Sequence, residues 1–261
     1  MYPSPIIDKT RGLSYRFFFC YLGREAMLGK TPLSIFIGYD SETRVTWHTL
    51  AHTLIENSSI PISLHPVNID HYRAFFNRKR DSKQSNAFSF SRFCVPYLMN
   101  FQGLALFMDS DMLIKDDIAL LLKDIANQES KAVYVVKHDY NSKNSTKFHG
   151  KMNYEYPRKN WSSFVVWNCS HPKNRILTPD FFNTASGLQL HRFTWLLDDE
   201  IGDLDIRWNW LVGDYKNPPS DVKNIHWSIG GPYFDEYKDT EFSTDWYLAN
   251  KMMNYCKQTD E

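Results

Sequence analysis

Residues Leu104–Asp111 read LALFMDSD, and the chain continues MLIKDD through Asp117. Five apolar residues run directly into two aspartates two positions apart. A short apolar run opened by a glycine, here Gly103, reads as a buried strand. In extended backbone, residues i and i+2 point to the same side. Asp109 and Asp111 would then present two carboxylates together just past the strand. That is a hard-oxygen site for Mg2+ or Mn2+, of the kind usually completed by substrate phosphates. A helix-capping pair on a surface turn is the competing reading, and an Asp-x-Asp pattern alone does not separate the two.

Upstream, Leu33–Ile37 closed by Gly38 reads as a first strand. Tyr39-Asp40-Ser41 follows at its carboxyl end, where open α/β sheets bind ligands. Trp47, Leu50, Ala51, Leu54 and Ile55 share one helical face, and Ile62–Val67 after Pro61 is a second strand. Strand, helix, strand predicts an α/β fold with a sheet that begins parallel. Asp70–Phe88 reads as a loop. Phe90, Phe93, Cys94, Tyr97 and Leu98 mark another helix, bent at Pro96. Arg92 lies within that pattern, either snorkelling to the surface or aimed at a phosphate.

Downstream, Asp116 or Asp117 can cap a helix through Ile125, and Ala132–Val136 is a strand ending in Lys137-His138-Asp139. Asn141–Asn160 reads as a long functional loop. Phe164–Trp167 is a strand entered through Trp161-Ser162-Ser163, and Asp245–Cys256 is a closing helix. His226 precedes a Gly230-Gly231-Pro232 turn whose glycines allow close approach to a ligand. A satisfied structural histidine and a third metal ligand are both open readings. Residues 1–31 carry no regular pattern. The expected domain spans 32–261, with a nucleotide-binding half at 32–139 and an acceptor or closing half at 140–261.

The 261 residues include 18 Phe, 15 Tyr and 8 Trp, enough to fill a sizeable core. Thirty acidic and thirty basic residues cancel, which speaks against a nucleic-acid binder working through bulk charge. Cys20, Cys94, Cys169 and Cys256 have neither zinc-site nor redox-motif spacing, as in a reduced cytoplasmic protein. The RFFFCYL run is too short to span a membrane. The expectation is a cytoplasmic protein without a transmembrane segment, for which peripheral attachment at the inner face of a membrane stays open.

Taken together, these motifs resemble nucleotide-sugar-dependent glycosyltransferases of the GT-A fold, family 8 and its bacterial relatives. IFIGYDS resembles the first strand and donor loop, FSFSRFCVPYL the Arg-Phe-x-x-Pro helix and ALFMDSDMLI the Asp-x-Asp strand. NWSSFVVWN stands for the Asn-Ala-Gly-type strand, with Ser162-Ser163 as a departure. LDDEIG and IRWNWL resemble the acceptor-side motifs, and HWSIGGPYF the closing motif. The resemblance implies a Rossmann-like mixed sheet flanked by helices, in a single α/β domain with an acceptor-side subregion. It implies Mn2+ (or Mg2+) on Asp109, Asp111 and His226, bridging the diphosphate of a nucleoside-diphosphate sugar. Tyr39 and Asp40 would face base and ribose. Arg92 would bind the donor sugar or diphosphate. Trp161, Ser162 and Ser163 would line the sugar pocket, with Ser110 and Gly230 beside the donor. Asp199 would sit beside the reacting carbon. Lys137, at a strand end, could neutralise phosphate, because Gly231-Pro232-Tyr233 lacks the family's lysine. The acceptor would be a hydroxyl of a glycan or lipid-linked saccharide, transferred to with retention. A sugar-nucleotide binder without turnover and an Asp-x-Asp phosphatase-like hydrolase are the alternatives.

Overall fold

The computed structural model describes residues 31–79, 84, 86–126, 128, 130–138 and 158–255. Residues 1–30 of the expected extension, Arg80, residues 141–157 of the expected functional loop, Cys20 and Cys256 lie outside these residues. Nine strands are β1 (Leu33–Gly38), β2 (Ile62–Val67), β3 (Leu104–Met108), β4 (Met112–Ile114), β5 (Val133–Val135), β6 (Phe164–Asn168), β7 (Ile201–Asp203), β8 (Trp210–Leu211) and β9 (Asn224–His226). The helices are α1 (Arg44–Glu56), α2 (Val95–Leu98), α3 (Ile118–Ala126), α4 (Pro179–Thr184), α5 (Gly187–His191) and α6 (Ser243–Met253).

Six strands form a mixed sheet in the order β2-β1-β3-β6-β5-β7, and β4-β9-β8 form a second, smaller sheet. β1 runs parallel to β2 and β3, whereas β6 is antiparallel to both β3 and β5. β6 comes from the second half of the chain and lies between strands of the first. The expected boundary at 139/140 therefore falls inside one sheet.

β3 shows why its sequence does not alternate. Leu106 and Met108 pack into one apolar cluster with α1 and α3, while Ala105 and Phe107 pack into another with Phe93, Trp167 and Phe193. Successive side chains point to opposite faces, and both faces are covered, so every position is apolar. Leu106 is fully buried. Leu106→Ala is expected to destabilise the protein by about 2–5 kcal/mol, measurable as a lower midpoint in urea unfolding.

Two local expectations change. Pro96 does not bend a helix. It stands at the start of α2, after a 3-10 turn at Ser91–Cys94, where its missing N–H has no partner to lose. On α1, Leu50, Ala51 and Leu54 are buried but Ile55 is exposed, so the apolar face is one residue narrower than its spacing suggests. Gly38 closes β1 because Phe88 lies against it. A Cβ there would sit 2.2 Å from the Phe88 ring. Gly38→Ala is expected to push Phe88 off the strand and cost about 1–3 kcal/mol, read as a lower melting temperature.

Candidate metal and donor site

The site forms where the chain leaves one sheet for the other. The Asp109 amide donates to the Ser163 carbonyl at 2.9 Å, extending the β3–β6 ladder by one residue. Two residues on, the Asp111 carbonyl accepts from the Trp227 amide at 3.0 Å, next to the β4–β9 pairing of Met112 with His226. Ser110, buried, is the corner between the sheets. The same pairing that starts β4 sets His226 opposite the carboxylates. One ligand atom each from Asp109, Asp111 and His226 lies within 4.8 Å of the others. The alternative of a helix-capping pair is not what the structure shows, because the backbone after Asp111 is a strand.

A chain of hydrogen bonds orients His226. The Ser163 hydroxyl donates to the Asn160 carbonyl at 2.7 Å and accepts from Asn209 Nδ2 at 3.0 Å. Asn209 is thereby turned so that its Oδ1 meets His226 Nδ1 at 2.8 Å. Nδ1–H donates to it, and Nε2 faces Asp111 Oδ1 at 3.3 Å. A metal-binding histidine is oriented in this way, with its other nitrogen donating to a fixed acceptor. Asn209→Leu is expected to lower metal affinity about 10–100-fold, measurable by isothermal titration with Mn2+.

Arg92 is buried. Its Nη2 lies 2.9 Å from Asp109 Oδ1, and its Nη1 donates to the Ser162 carbonyl at 2.9 Å. The guanidinium thus faces the carboxylate rather than the surface. The Asp109 carboxylate is thus buried with the Arg92 guanidinium as its partner. Burial pushes the Asp109 carboxyl up to about 6. Arg92 opposes that shift, and the neighbouring Asp111 adds to it. Two carboxylates and an imidazole nitrogen converging within 4.8 Å are a donor set that fits Mn2+ or Mg2+. Metal competes with the proton on Asp109. Metal affinity is therefore expected to be level above that pKa and to fall as pH drops through about 6, checked by the same titration at several pH values.

Other sequence candidates have different surroundings from those the resemblance implies. Asp40 is buried, and both its oxygens are used: Oδ1 accepts from the Glu42 amide at 3.0 Å and Oδ2 from the Ala87 amide at 2.9 Å. It braces the Ala87–Phe90 segment instead of facing ribose. Tyr39 follows β1, its amide bonded to the Val67 carbonyl. Lys137 pairs with Asp203 at 3.1 Å across the β5–β7 edge. Asp199 is exposed in a 3-10 turn before β7. β7 runs parallel to β5, with Ile201 level with Val133, Trp167 and Ala105. Asp198, the neighbour of Asp199, pairs with Arg158.

Ser162 and Ser163 do belong to that corner. Trp161 Nε1 donates to the His138 carbonyl at 3.1 Å, joining the β5 end to the start of β6. Gly230 packs against Tyr237, where a Cβ would come within 2.5 Å of the ring. Trp208 and Trp210 are core residues, Trp208 with its Nε1 on Asp124 Oδ2 at 2.9 Å. Four participants escape the sequence reading: Asn209, His191, His138 and Tyr233. His191 Nδ1 meets the Ser162 hydroxyl at 2.8 Å. His138 is held neutral, its pKa lowered to about 3 by burial and then by His226 nearby. Burial, then the Asp111 and Asp109 carboxylates, raise the Tyr233 phenol.

The fold is that of solved glycosyltransferases. It resembles the WbbM bifunctional glycosyltransferase (16% identical, TM-score 0.55, 84% of this chain and 50% of that one). It also resembles glycosyltransferase GlyE of Streptococcus pneumoniae TIGR4 (14%, 0.52, 84% and 60%). A third is galactosyltransferase LgtC, solved with donor and acceptor sugar analogues (9%, 0.53, 87% and 98%). The chain thus spans half to three-fifths of WbbM and GlyE, but nearly all of LgtC. No family model matches the sequence. The chain is 41% identical over 235 residues to protein CDI of Arabidopsis thaliana, across 88% of this chain and 89% of that protein, and belongs to its family.

Proposed function

We propose that the protein is a metal-dependent glycosyltransferase that moves a sugar from a nucleoside-diphosphate sugar to a hydroxyl, with retention of anomeric configuration. The observation that carries this reading is the Asp109–Asp111–His226 cluster, built at the junction of two sheets in a glycosyltransferase fold. A bound Mn2+ or Mg2+ would supply charge stabilisation for the departing diphosphate. The protein's own part is preorganisation. Asn209 orients His226, Arg92 holds Asp109, and Ser162 and Ser163 form the adjoining wall.

In the transfer, the bond from the anomeric carbon to the diphosphate oxygen breaks and a bond from that carbon to the acceptor oxygen forms. The acceptor's hydroxyl proton goes to the released nucleoside diphosphate. That route needs no carboxylate base. The acceptor is a hydroxyl of a glycan or lipid-linked saccharide. Among the described residues no helix is long and apolar enough to cross a membrane. Buried free thiols at Cys94 and Cys169 support action in a reducing, cytoplasmic setting.

The test is thermal shift with UDP- and GDP-sugars, each with and without Mn2+. The reading expects stabilisation that needs both nucleotide sugar and metal, followed by release of nucleoside diphosphate in the presence of acceptor. Stabilisation by nucleotide sugar that ignores both Mn2+ and chelator would overturn it.

A further inference from the structure

The described residues line a cavity of ≈ 340 Å³ whose walls include Arg73, Arg78, Lys79, Ile69, Phe76 and Phe90. Three of its lining residues are cationic and none is a carboxylate. Arg78 is locked in place: its Nη1 donates to the carbonyls of Phe182 at 3.2 Å and Ala185 at 2.6 Å, and its guanidinium lies 3.8 Å from the Phe90 ring centroid. Arg73 pairs with Asp70, but both side chains are exposed, and such a pair contributes only about 0–1 kcal/mol and exchanges readily. Lys79 is exposed. A planar guanidinium with fixed orientation is the side chain best suited to grip phosphate or carboxylate.

The cavity is joined to the metal corner through one wall. The Phe90 ring meets the His191 ring at 5.5 Å between centroids, and His191 is bonded to Ser162, whose carbonyl receives Arg92 beside Asp109. The Ala87 amide on Asp40 ties the same wall to the end of β1. The cavity is thus linked to the Asp109 corner through Phe90, His191 and Ser162.

We infer that this cavity holds an anionic group of the acceptor, a phosphate or a carboxylate, while a hydroxyl of the same molecule reaches toward the metal corner. The inference rests on the transferase reading for the word acceptor, but the anion site itself does not. Arg73, Arg78 and Lys79 supply the charge, and Ile69, Phe76 and Phe90 give an apolar surface for the rest of the molecule.

The experiment titrates the full chain, in EDTA, with glycerol 1-phosphate and separately with glucuronate, reading melting temperature and calorimetric affinity. At least one anion is expected to bind, with affinity that falls as salt rises. A response to glycerol 1-phosphate assigns a phosphate-bearing acceptor, and a response to glucuronate assigns a uronate-bearing one. Arg73→Gln/Lys79→Gln changes two exposed residues and is expected to weaken that binding about tenfold or more, while stabilisation by nucleotide sugar with Mn2+ stays the same. Asp111→Ala is expected to keep anion binding. No binding of either anion, or anion binding lost in Asp111→Ala but kept in the double variant, would overturn the site. Loss of nucleotide-sugar binding in the double variant would assign the cavity to the donor and overturn it as well. If the wild type binds the anion in EDTA but never a nucleotide sugar, the transferase reading fails and the anion site stands.

Discussion

Asp111→Ala is expected to abolish Mn2+-dependent stabilisation by nucleotide sugar and to cut transfer by at least about 10²–10³-fold, while the purified protein still unfolds cooperatively in EDTA. Asp111 is the carboxylate that faces His226 Nε2 at 3.3 Å, and its backbone rather than its side chain makes the β4–β9 junction through Trp227. The substitution therefore removes a metal ligand and leaves the strand pairing. The informative comparison is Asp111→Asn, which keeps shape and loses charge. A metal site demands the charge, so Asn is expected to behave like Ala. A purely structural role for Asp111 predicts the opposite: Asn tolerated, and metal response unchanged in both variants.

How much of this was readable from sequence depends on the range of each signal. The β3 run was legible because burial on both faces leaves an unbroken apolar string, and Leu106/Met108 and Ala105/Phe107 fill opposite clusters. The placing of Asp109 and Asp111 follows from strand geometry alone. His226 was legible only through the resemblance, since β9 pairs with β4 across more than a hundred residues and no local pattern records that. His191 carried no local signal, and Asn209 lay in the IRWNWL motif without its role being legible there. Their roles arise from a ladder of partners, Ser163 to Asn209 to His226 and Ser162 to His191, that exists only once β6 lies beside β3.

Side-chain partners are as hidden as strand order. Asp199 is read from the resemblance of its motif and Lys137 from its place at a strand end, and neither reading names a neighbour. Lys137, at the end of β5, finds Asp203 across the β5–β7 edge, and Asp199 stands in the turn that leads into β7. Asp40 illustrates a different limit. Its position at the end of β1 was right for a ligand contact, but two backbone amides from separate loops reach its oxygens first. A buried carboxylate is strongly held by such donors, and only the folded loop supplies the Ala87 amide.

Arg92→Met is expected to give the largest loss of stability, about 3–5 kcal/mol, as when one member of a buried ion pair is removed. Arg92 and Asp109 are both nearly inaccessible to solvent, so Met replaces the aliphatic volume but leaves Asp109 as an uncompensated buried charge. The pH dependence fixes the cause. In the wild type, burial already holds the Asp109 carboxyl above its ordinary range, at about 6, with Arg92 pulling it down. A carboxyl whose folded pKa exceeds its unfolded one contributes stability that is fully present below the unfolded value, near 4, and is lost as pH rises through the folded value. Removing Arg92 pushes the folded pKa higher still. The deficit of Arg92→Met relative to wild type is therefore expected to be largest near pH 8 and to shrink toward pH 5, in urea unfolding followed at both pH values. Arg92→Met/Asp109→Asn removes both charges and is expected to recover much of the loss at pH 8 without recovering metal-dependent nucleotide-sugar binding. A deficit independent of pH, or a double variant no more stable than Arg92→Met, would assign Arg92 to packing between Phe88 and Phe107, whose rings lie 5.6 and 5.0 Å from its guanidinium, and not to the charge on Asp109.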